Sequence, residues 1–340
     1  MDEDGSARPQ TAVTADDVAR RAGVSRWTVN RAFKKDASIS ARSREKVLSA
    51  AAELGYVPDL LAASLASSRS RLVALLIDDF ANPHKLVMLE RLTRILQHAG
   101  WDTLLVNMLS EDDGRDALMN ASQRRVDAAI LIGIQFDDKV LAAALGARRV
   151  RKLIIFARSS QNAETISIAV DDVAAMTEIT SHVIDRGYAR PMFLAGPQTY
   201  SAHLLRKETF VAQWTARVGR APEVISVETY DPARAFDRVH QVLAPRNGRG
   251  LPDVLVCEND ALAIGAIDAV RHKLGLRVPE DIAVTGFDDV PLASSPNYRL
   301  TTYRQPLTAM ANRIVEILNE DREPGNHCDF LGQIVSRDSA

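Results

Sequence analysis

From residue 72 onward, short runs dominated by apolar residues alternate with stretches of helical periodicity, and few folds accept that rhythm. The runs are LVALLI (72–77), TLLV (103–106), AAILI (128–132), KLIIF (152–156), PMFLA (191–195), DVLVC (253–257) and DIAVTGF (281–287). A strand with one face in water alternates apolar and polar residues, whereas an unbroken apolar run belongs to a strand covered on both faces. Helical stretches over about 84–99, 172–186, 201–217 and 260–274 supply the cover, the first stopped by Gly100 and the last by Gly275. The pattern predicts parallel, doubly wound sheets with right-handed crossovers. Roughly 270 residues is more than one such sheet usually takes, so two similar lobes are expected.

The segment ahead of this core has a different character. Thr14 is placed to cap a first helix with Asp17 as its capping-box partner, and Gly23 stands where that helix stops. Ser25 caps a second helix running to Phe33, with Val29, Ala32 and Phe33 inward. Ser40 caps a third that ends at Gly55, with Val47, Leu48, Ala51 and Leu54 inward. Two helices joined by a short glycine-containing turn match a helix-turn-helix. Formal net charge is −2 for the whole chain, yet residues 20–46 carry nine Lys and Arg against only Asp36 and Glu45. Attraction to phosphate is local and screened, so this cationic stretch counts for more than the average. If the second helix begins after Ser25, Arg26, Trp27, Asn30 and Arg31 project outward from its first two turns, where a recognition helix meets base edges. Arg suits guanine and Asn adenine, while the hydroxyls of Ser25 and Thr28 suit phosphate oxygens. Thr14 is grouped with this DNA-facing set.

Two cysteines, Cys257 and Cys328, are too few for a disulfide framework, and seven scattered histidines show no metal spacing. Residues 1–12 read as a polar, disordered extension without the apolar centre of a secretory signal. There is no GxGxxG between strand and helix, no P-loop, no HExxH and no GxSxG. No catalytic residue, cofactor or metal is expected, and the expected compartment is the cytoplasm. Residues 58–70 (PDLLAASLASSRS) read as a linker that is a marginal helix on its own.

Doubly wound lobes bind ligands beyond the carboxyl ends of their strands. Polar residues just past each apolar run therefore define a candidate cleft. They are Asp78, Phe80 and His84 after the first run, Arg158 after the KLIIF run, Arg206 in the helix after PMFLA, and Tyr230 after a strand at 224–227. Asn259 follows DVLVC and Asp288 follows AVTGF. Carboxylates, an amide, guanidinium forks and an aromatic ring suit a hydroxyl-rich ligand such as a sugar. Plainer roles stand beside these: Asp288 and Asp289 as loop caps, Asp260 as a helix cap, His84 as a solvated helix-start residue.

The stretches VTADDVARRAGVSRWTVNRAF and SREKVLSAAAELGYVPD resemble the headpiece of the lactose-repressor (LacI/GalR) family of bacterial transcription regulators. RSRLVALLIDDFANP, CENDALAIGAIDAV, LGLRVPEDIAVTGFDDVPLA and LTTYRQPLTAMA resemble its ligand-binding core. The likeness spans about Thr14 to Ser339 and implies a helix-turn-helix headpiece on a two-lobed, periplasmic-binding-protein-like core. It implies base reading by Arg26, Trp27 and Arg31, with Ser25, Thr28 and Asn30 as flanking, mostly phosphate contacts. Leu65, beside Ala66, takes the place of a hinge leucine that wedges into the minor groove. Asn259 and Asp288 fall on effector-hydroxyl positions, Arg206 on the effector-binding arginine, and Tyr230 where an aromatic stacks on a sugar. Ala157 replaces a common Asp and is followed by Arg158, which points to a sugar acid as well as a sugar. The chain departs from the family pattern after the recognition helix, where Asn30-Arg31-Ala32-Phe33-Lys34-Lys35 replaces Ser-Arg-Val-Leu-Asn-Gly, so the operator sequence is not legible.

The expected partition is an extension at 1–12, a helix-turn-helix domain at 13–58, a hinge at 59–70 and a ligand-binding and dimerisation core at 71–340. The first lobe is expected at about 71–165 with 301–328, the second at 166–300 with 329–340. The reading is a DNA-binding repressor controlled by a small sugar-like effector between the lobes, acting as a homodimer on a palindromic operator. Its rivals are a sugar-binding solute receptor, which needs export and leaves residues 14–56 without a purpose, and a sugar-modifying enzyme, which lacks a nucleophile.

Overall fold

The computed structural model describes residues 13–33, 37–58, 69–80, 82–108, 119–133, 150–198, 202–320 and 325–340. The chain divides into two compact units, Met1–Ser70 and Arg71–Ala340. The expected extension at 1–12 and the hinge residues Leu65 and Ala66 lie outside the described residues.

The first unit holds α1 (Ala15–Ala22), α2 (Arg26–Ala32) and α3 (Ala41–Leu54). Local chemistry sets their ends. Thr14 and Asp17 form a complete capping box, and Ser25 and Ser40 accept from the amides of Thr28 and Ser43. Gly23 takes the left-handed conformation at φ 65° that closes α1 and turns the chain into α2. Val18, Val29 and Val47 meet at the centre, fully buried, with Phe33 against Tyr56 at 5.8 Å between ring centres. Leu48, expected inward, is 44% exposed. Val47, Ala50, Ala51 and Leu54 already make the i, i+3, i+4, i+7 stripe of α3, and position 48 falls beside it.

In the second unit β1 (Leu72–Ile77) leads to α4 (Pro83–His98) and β2 (Asp102–Asn107). β3 (Ala128–Ile132), β4 (Lys152–Phe156), the two-residue β5 (Ser159–Ser160) and β6 (Ile166–Val170) follow. Next come α5 (Asp172–Asp185), β7 (Pro191–Ala195), β8 (Ala202–His203), α6 (Arg206–Val218), β9 (Glu223–Ser226) and α7 (Pro232–Leu243). After them stand β10 (Val254–Cys257), α8 (Asp260–His272), β11 (Ala283–Asp288), β12 (Thr301–Arg304), α9 (Leu307–Asn319), β13 (His327–Phe330) and β14 (Gln333–Val335). Two six-stranded sheets result, ordered β13-β6-β4-β3-β1-β2 and β14-β12-β11-β10-β7-β9. All pairs within them are parallel except β12 with β14. The apolar runs that predicted parallel strands are buried throughout β3, β7 and β10.

The sheets correct the expected lobe boundaries. Residues 166–170 belong to the first sheet and 301–304 to the second, so the crossovers fall after β6, after β12 and between β13 and β14. The helix expected over 201–217 begins at Arg206, because Ala202–His203 pairs as β8 with β5. The elements that lack an all-apolar run, such as TTYR in β12, are the ones the sequence pattern passed over.

In each sheet the strand order reverses between two neighbours, β1 with β3 and β7 with β10, and loops beyond those strand ends diverge to leave a crevice. α7 and α8 flank the second sheet in close contact. A Cβ on Gly265 of α8 would lie 2.1 Å from the Pro232 carbonyl oxygen. Gly265→Ala is expected to lower stability by about 1–3 kcal/mol through overpacking of backbone on backbone. Chemical denaturation of the full chain checks this, and an unchanged midpoint contradicts it.

Candidate functional site

The surface of the first unit presents α2. Trp27 is 66% exposed, so it is not a core residue. Arg31 lies one turn on and packs its guanidinium over the indole at 4.5 Å. The same guanidinium donates through Nε and Nη2 to the Ser38 carbonyl at 3.1 and 2.9 Å, which ties it to the segment ahead of α3. Arg26 faces Asp16 of α1 at 3.2 Å in a solvent-exposed pair, a contact that costs little to release. Asn30 is exposed, and the Ser25 and Thr28 hydroxyls share a 2.9 Å hydrogen bond. Thr14 is spent on its capping box. The expected outward face is therefore formed, with Arg31 bracing Trp27.

In the second unit the ends of β1, β3, β10 and β11 open on one cleft. Its walls include His84, Lys85, Ile132, Arg158, Arg206, Tyr230, Asn259, Asp288 and Gln305. Arg206, at the start of α6, is 4% exposed. Its Nε donates to Asp172 at 3.0 Å and its Nη1 to the Glu258 carbonyl at 3.0 Å, and its plane lies 3.5 Å from the centre of Phe287. Lys85 Nζ donates to Asp78 at 3.3 Å and to the Ile132 carbonyl at 2.8 Å. Burial lowers the Lys85 pKa, and Asp78 opposes that shift. Asp288 sits at φ 125°, a backbone conformation that side chains other than glycine rarely adopt. Burial raises its carboxyl to about 6 against the pull of Arg206.

The histidine is uncharged. Burial, then Arg206 and Lys85, push His84 down to about 3. Gln305 Nε2 donates to Asp288 Oδ1 at 2.7 Å, so its amide is oriented, and at 3.2 Å it meets His84 Nε2. An amide nitrogen can only donate, so Nε2 accepts and Nδ1 carries the ring proton. The 3.7 Å approach of His84 to Asp288 is thus not an ion pair.

Among the described residues, His84 Nδ1, Arg158 Nη1, Tyr230 Oη and Gln305 Oε1 are buried without a well-formed hydrogen bond, although Arg158 and Tyr230 interact with each other. Such atoms are uncommon in protein interiors and gather here around one space. Burial, then Glu258, raises the Tyr230 phenol, whose ring lies 5.5 Å under Arg158.

A family model described as bacterial regulatory proteins, lacI family, matches residues 14–59, and one described as periplasmic binding protein-like domain matches 180–340. The sucrose operon repressor of Escherichia coli is 30% identical over 282 residues, which are 81% of this chain and 83% of that one. The chain belongs to the lacI family of bacterial regulatory proteins. HTH-type transcriptional regulator MalR of Streptomyces coelicolor is 29% identical over 330 residues, 93% of this chain and 92% of that one. A crystal structure of the Lac repressor dimer bound to operator and the anti-inducer ONPF superposes with TM-score 0.83 at 25% identity, covering 97% of this chain and 99% of that one. As a lacI-family member the chain is a DNA-binding transcriptional regulator with an effector-binding core. Among the described residues no helix is long and apolar enough to cross a membrane.

Of the eight cleft residues expected in this regulator, His84, Arg158, Arg206, Tyr230, Asn259 and Asp288 line the space. Two do not. Phe80 is 40% exposed, and the Asp78 carboxylate is turned onto Lys85 behind the wall. Asn259 also caps α8, its Oδ1 accepting from the Leu262 amide at 3.0 Å. Asp260, read as a helix cap, instead accepts from the Thr302 hydroxyl and the Val290 amide, and burial raises it to about 7. Lys85, Glu258 and Gln305 were missed. Glu258 follows an apolar run directly and satisfied the rule that found Asn259.

The His84 shift makes a pH prediction. An unfolded histidine near 6.5 binds a proton that the folded one refuses down to about 3. The resulting stability is complete above pH 6.5 and is lost as pH falls toward 3, by up to about 1.4 kcal/mol per pH unit. In His84→Asn that contribution is absent, so the stability gap between the parent and the variant should narrow on acidification from pH 7 to 5. Urea denaturation measures it, and a gap constant with pH contradicts the buried neutral ring.

Proposed function

We propose that this lacI-family regulator is a cytoplasmic, homodimeric repressor without catalytic activity. It binds a palindromic operator through α2 and responds to a small polyhydroxylated effector, a sugar or sugar acid, held in the cleft of the second unit. Arg26, Trp27 and Arg31 read base edges from the exposed face of α2, with Asn30 beside them. Arg31 adds charge and steadies the indole, and Ser25 and Thr28 approach phosphate. The sucrose operon repressor and the operator-bound Lac repressor dimer support the operator, the effector class and the two-fold assembly by analogy.

The observation that carries the effector assignment is the set of four buried polar atoms around the cleft that lack a well-formed hydrogen bond among the described residues. They offer donors at Arg158, His84 and Tyr230 and an acceptor at Gln305. A hydroxyl both donates and accepts, so a ligand carrying several hydroxyls satisfies all four at once. Asp288 and Asn259 complete the polar wall, and Tyr230 gives a ring for the apolar face of a pyranose.

A thermal-shift screen of sugars and sugar acids against the full chain is expected to find a stabilising ligand. Arg206→Ala and Asp288→Ala should abolish the shift. Arg158 is buried over the Tyr230 ring, so Arg158→Ala should shift the free protein's melting temperature as well. It should still weaken the ligand by about tenfold or more, the worth of a charged hydrogen bond. Full-strength binding by Arg158→Ala and Asp288→Ala contradicts the assignment.

A further inference from the structure

The core of the first unit is closed without Trp27. Val18, Val29 and Val47 fill its centre, and Phe33 packs on Tyr56 at its side. Trp27 stands outside them in the first turn of α2, the most exposed large apolar side chain of that helix. An indole left in water gains from any partner that covers its ring. The ring is also held still. The Arg31 guanidinium, one turn on, lies 4.5 Å from the ring centre. That guanidinium is itself tethered, since Nε and Nη2 both donate to the Ser38 carbonyl, at 3.1 and 2.9 Å. A cation fixed to the segment ahead of α3 therefore braces the indole before anything binds it. Ordering a side chain in advance removes that cost from association.

The chemistry of the ring limits what it can read in a major groove. An indole has one N–H donor and no acceptor. Every base pair offers an acceptor on its major-groove edge, so that single bond distinguishes little. The rest of the ring is apolar, and the groove edge carries one apolar group, the 5-methyl of thymine. Discrimination by an indole at this position therefore comes from covering that methyl group.

We propose that Trp27 is a specificity-determining residue that selects a thymine in each operator half-site through its 5-methyl group, with Arg31 as the positioning residue that holds the indole. The inference rests on the function proposed above, in which α2 enters the major groove, and it adds the identity of one base. The methyl group is what is recognised, and the hydrogen-bonding edge of the base is not. Uracil, which has the same edge as thymine but no methyl, is therefore a poor substitute. 5-Methylcytosine, which has the methyl on a different edge, keeps the contact.

The test uses the full chain and a duplex selected from random sequence by its affinity for that chain. Each thymine of the duplex is replaced in turn by uracil. At one position of each half-site the replacement should weaken binding about fourfold, the worth of one buried methylene-sized group, and by about tenfold or more when both half-sites are changed. With a cytosine–guanine pair at that position, methylating the cytosine at C5 should strengthen binding about fourfold. In Trp27→Ala both responses should vanish, and the substitution spares the core because the side chain is exposed. Arg31→Lys keeps the charge but loses the flat guanidinium and its two bonds to Ser38, so the ratio of thymine to uracil affinity should shrink. A ratio equal to the parent's overturns the role of Arg31. A chain that binds the selected duplex yet tolerates uracil at every thymine, or responds to uracil equally with and without Trp27, overturns the thymine assignment and leaves DNA recognition standing. A chain that binds no duplex overturns both.

Discussion

Arg206 is the charge that the second unit has to accommodate. A guanidinium out of water carries a desolvation penalty of several kcal/mol, offset only where geometry supplies partners on several sides. Asp172 comes from α5, Glu258 offers its carbonyl at the end of β10, and Phe287 of β11 lies flat beneath. Those three elements are brought together by the strand order of the second sheet and by the crossover after β6. Once Arg206 is fixed, its charge biases what stands around it: it helps keep His84 neutral and opposes the rise that burial imposes on Asp288. Removing one member of such a set leaves a buried charge uncompensated, which costs more than the contact itself contributed.

The cleft walls are polar yet incompletely satisfied, and that combination distinguishes a binding site from a core. Lys85 and Arg206 have their partners, while among the described residues Arg158, Tyr230, His84 and Gln305 each keep one polar atom without a well-formed hydrogen bond. The strain at Asp288 belongs to the same logic, since a backbone held at φ 125° aims a carboxylate that an extended strand would turn elsewhere. In the first unit the corresponding feature is an indole left in solvent beside a guanidinium, on a three-helix core already complete without it. Both surfaces are costly to keep free and gain from a partner.

What the sequence disclosed follows from how local each signal is. Caps at Thr14, Ser25 and Ser40 involve residues three apart and were legible at once. Apolar strands were legible because burial on both faces leaves no room for polar residues. β12 was not, since its Thr302 hydroxyl donates to Asp260 and its Tyr303 hydroxyl accepts from the Gly332 amide, partners 42 and 29 residues away. With β12 unseen, Gln305 directly after it went unseen as well. Lys85 escaped for the same reason: nothing near it in sequence says that Asp78 and the Ile132 carbonyl wait to receive it. The lobe crossovers are wholly non-local, which is why their expected positions missed β6 and β12.

On the function proposed above, a cationic helix face reads duplex DNA while the second unit governs it. The most direct measurement is the affinity of the full chain for an operator duplex, selected from random sequence, across a range of salt concentrations. On a logarithmic plot, affinity should fall steeply with salt, as released counterions require. Trp27→Ala should bring selected and scrambled duplexes close together in affinity. A chain that ignores duplex DNA at low salt, or a Trp27→Ala variant with undiminished preference for the selected sequence, would contradict it.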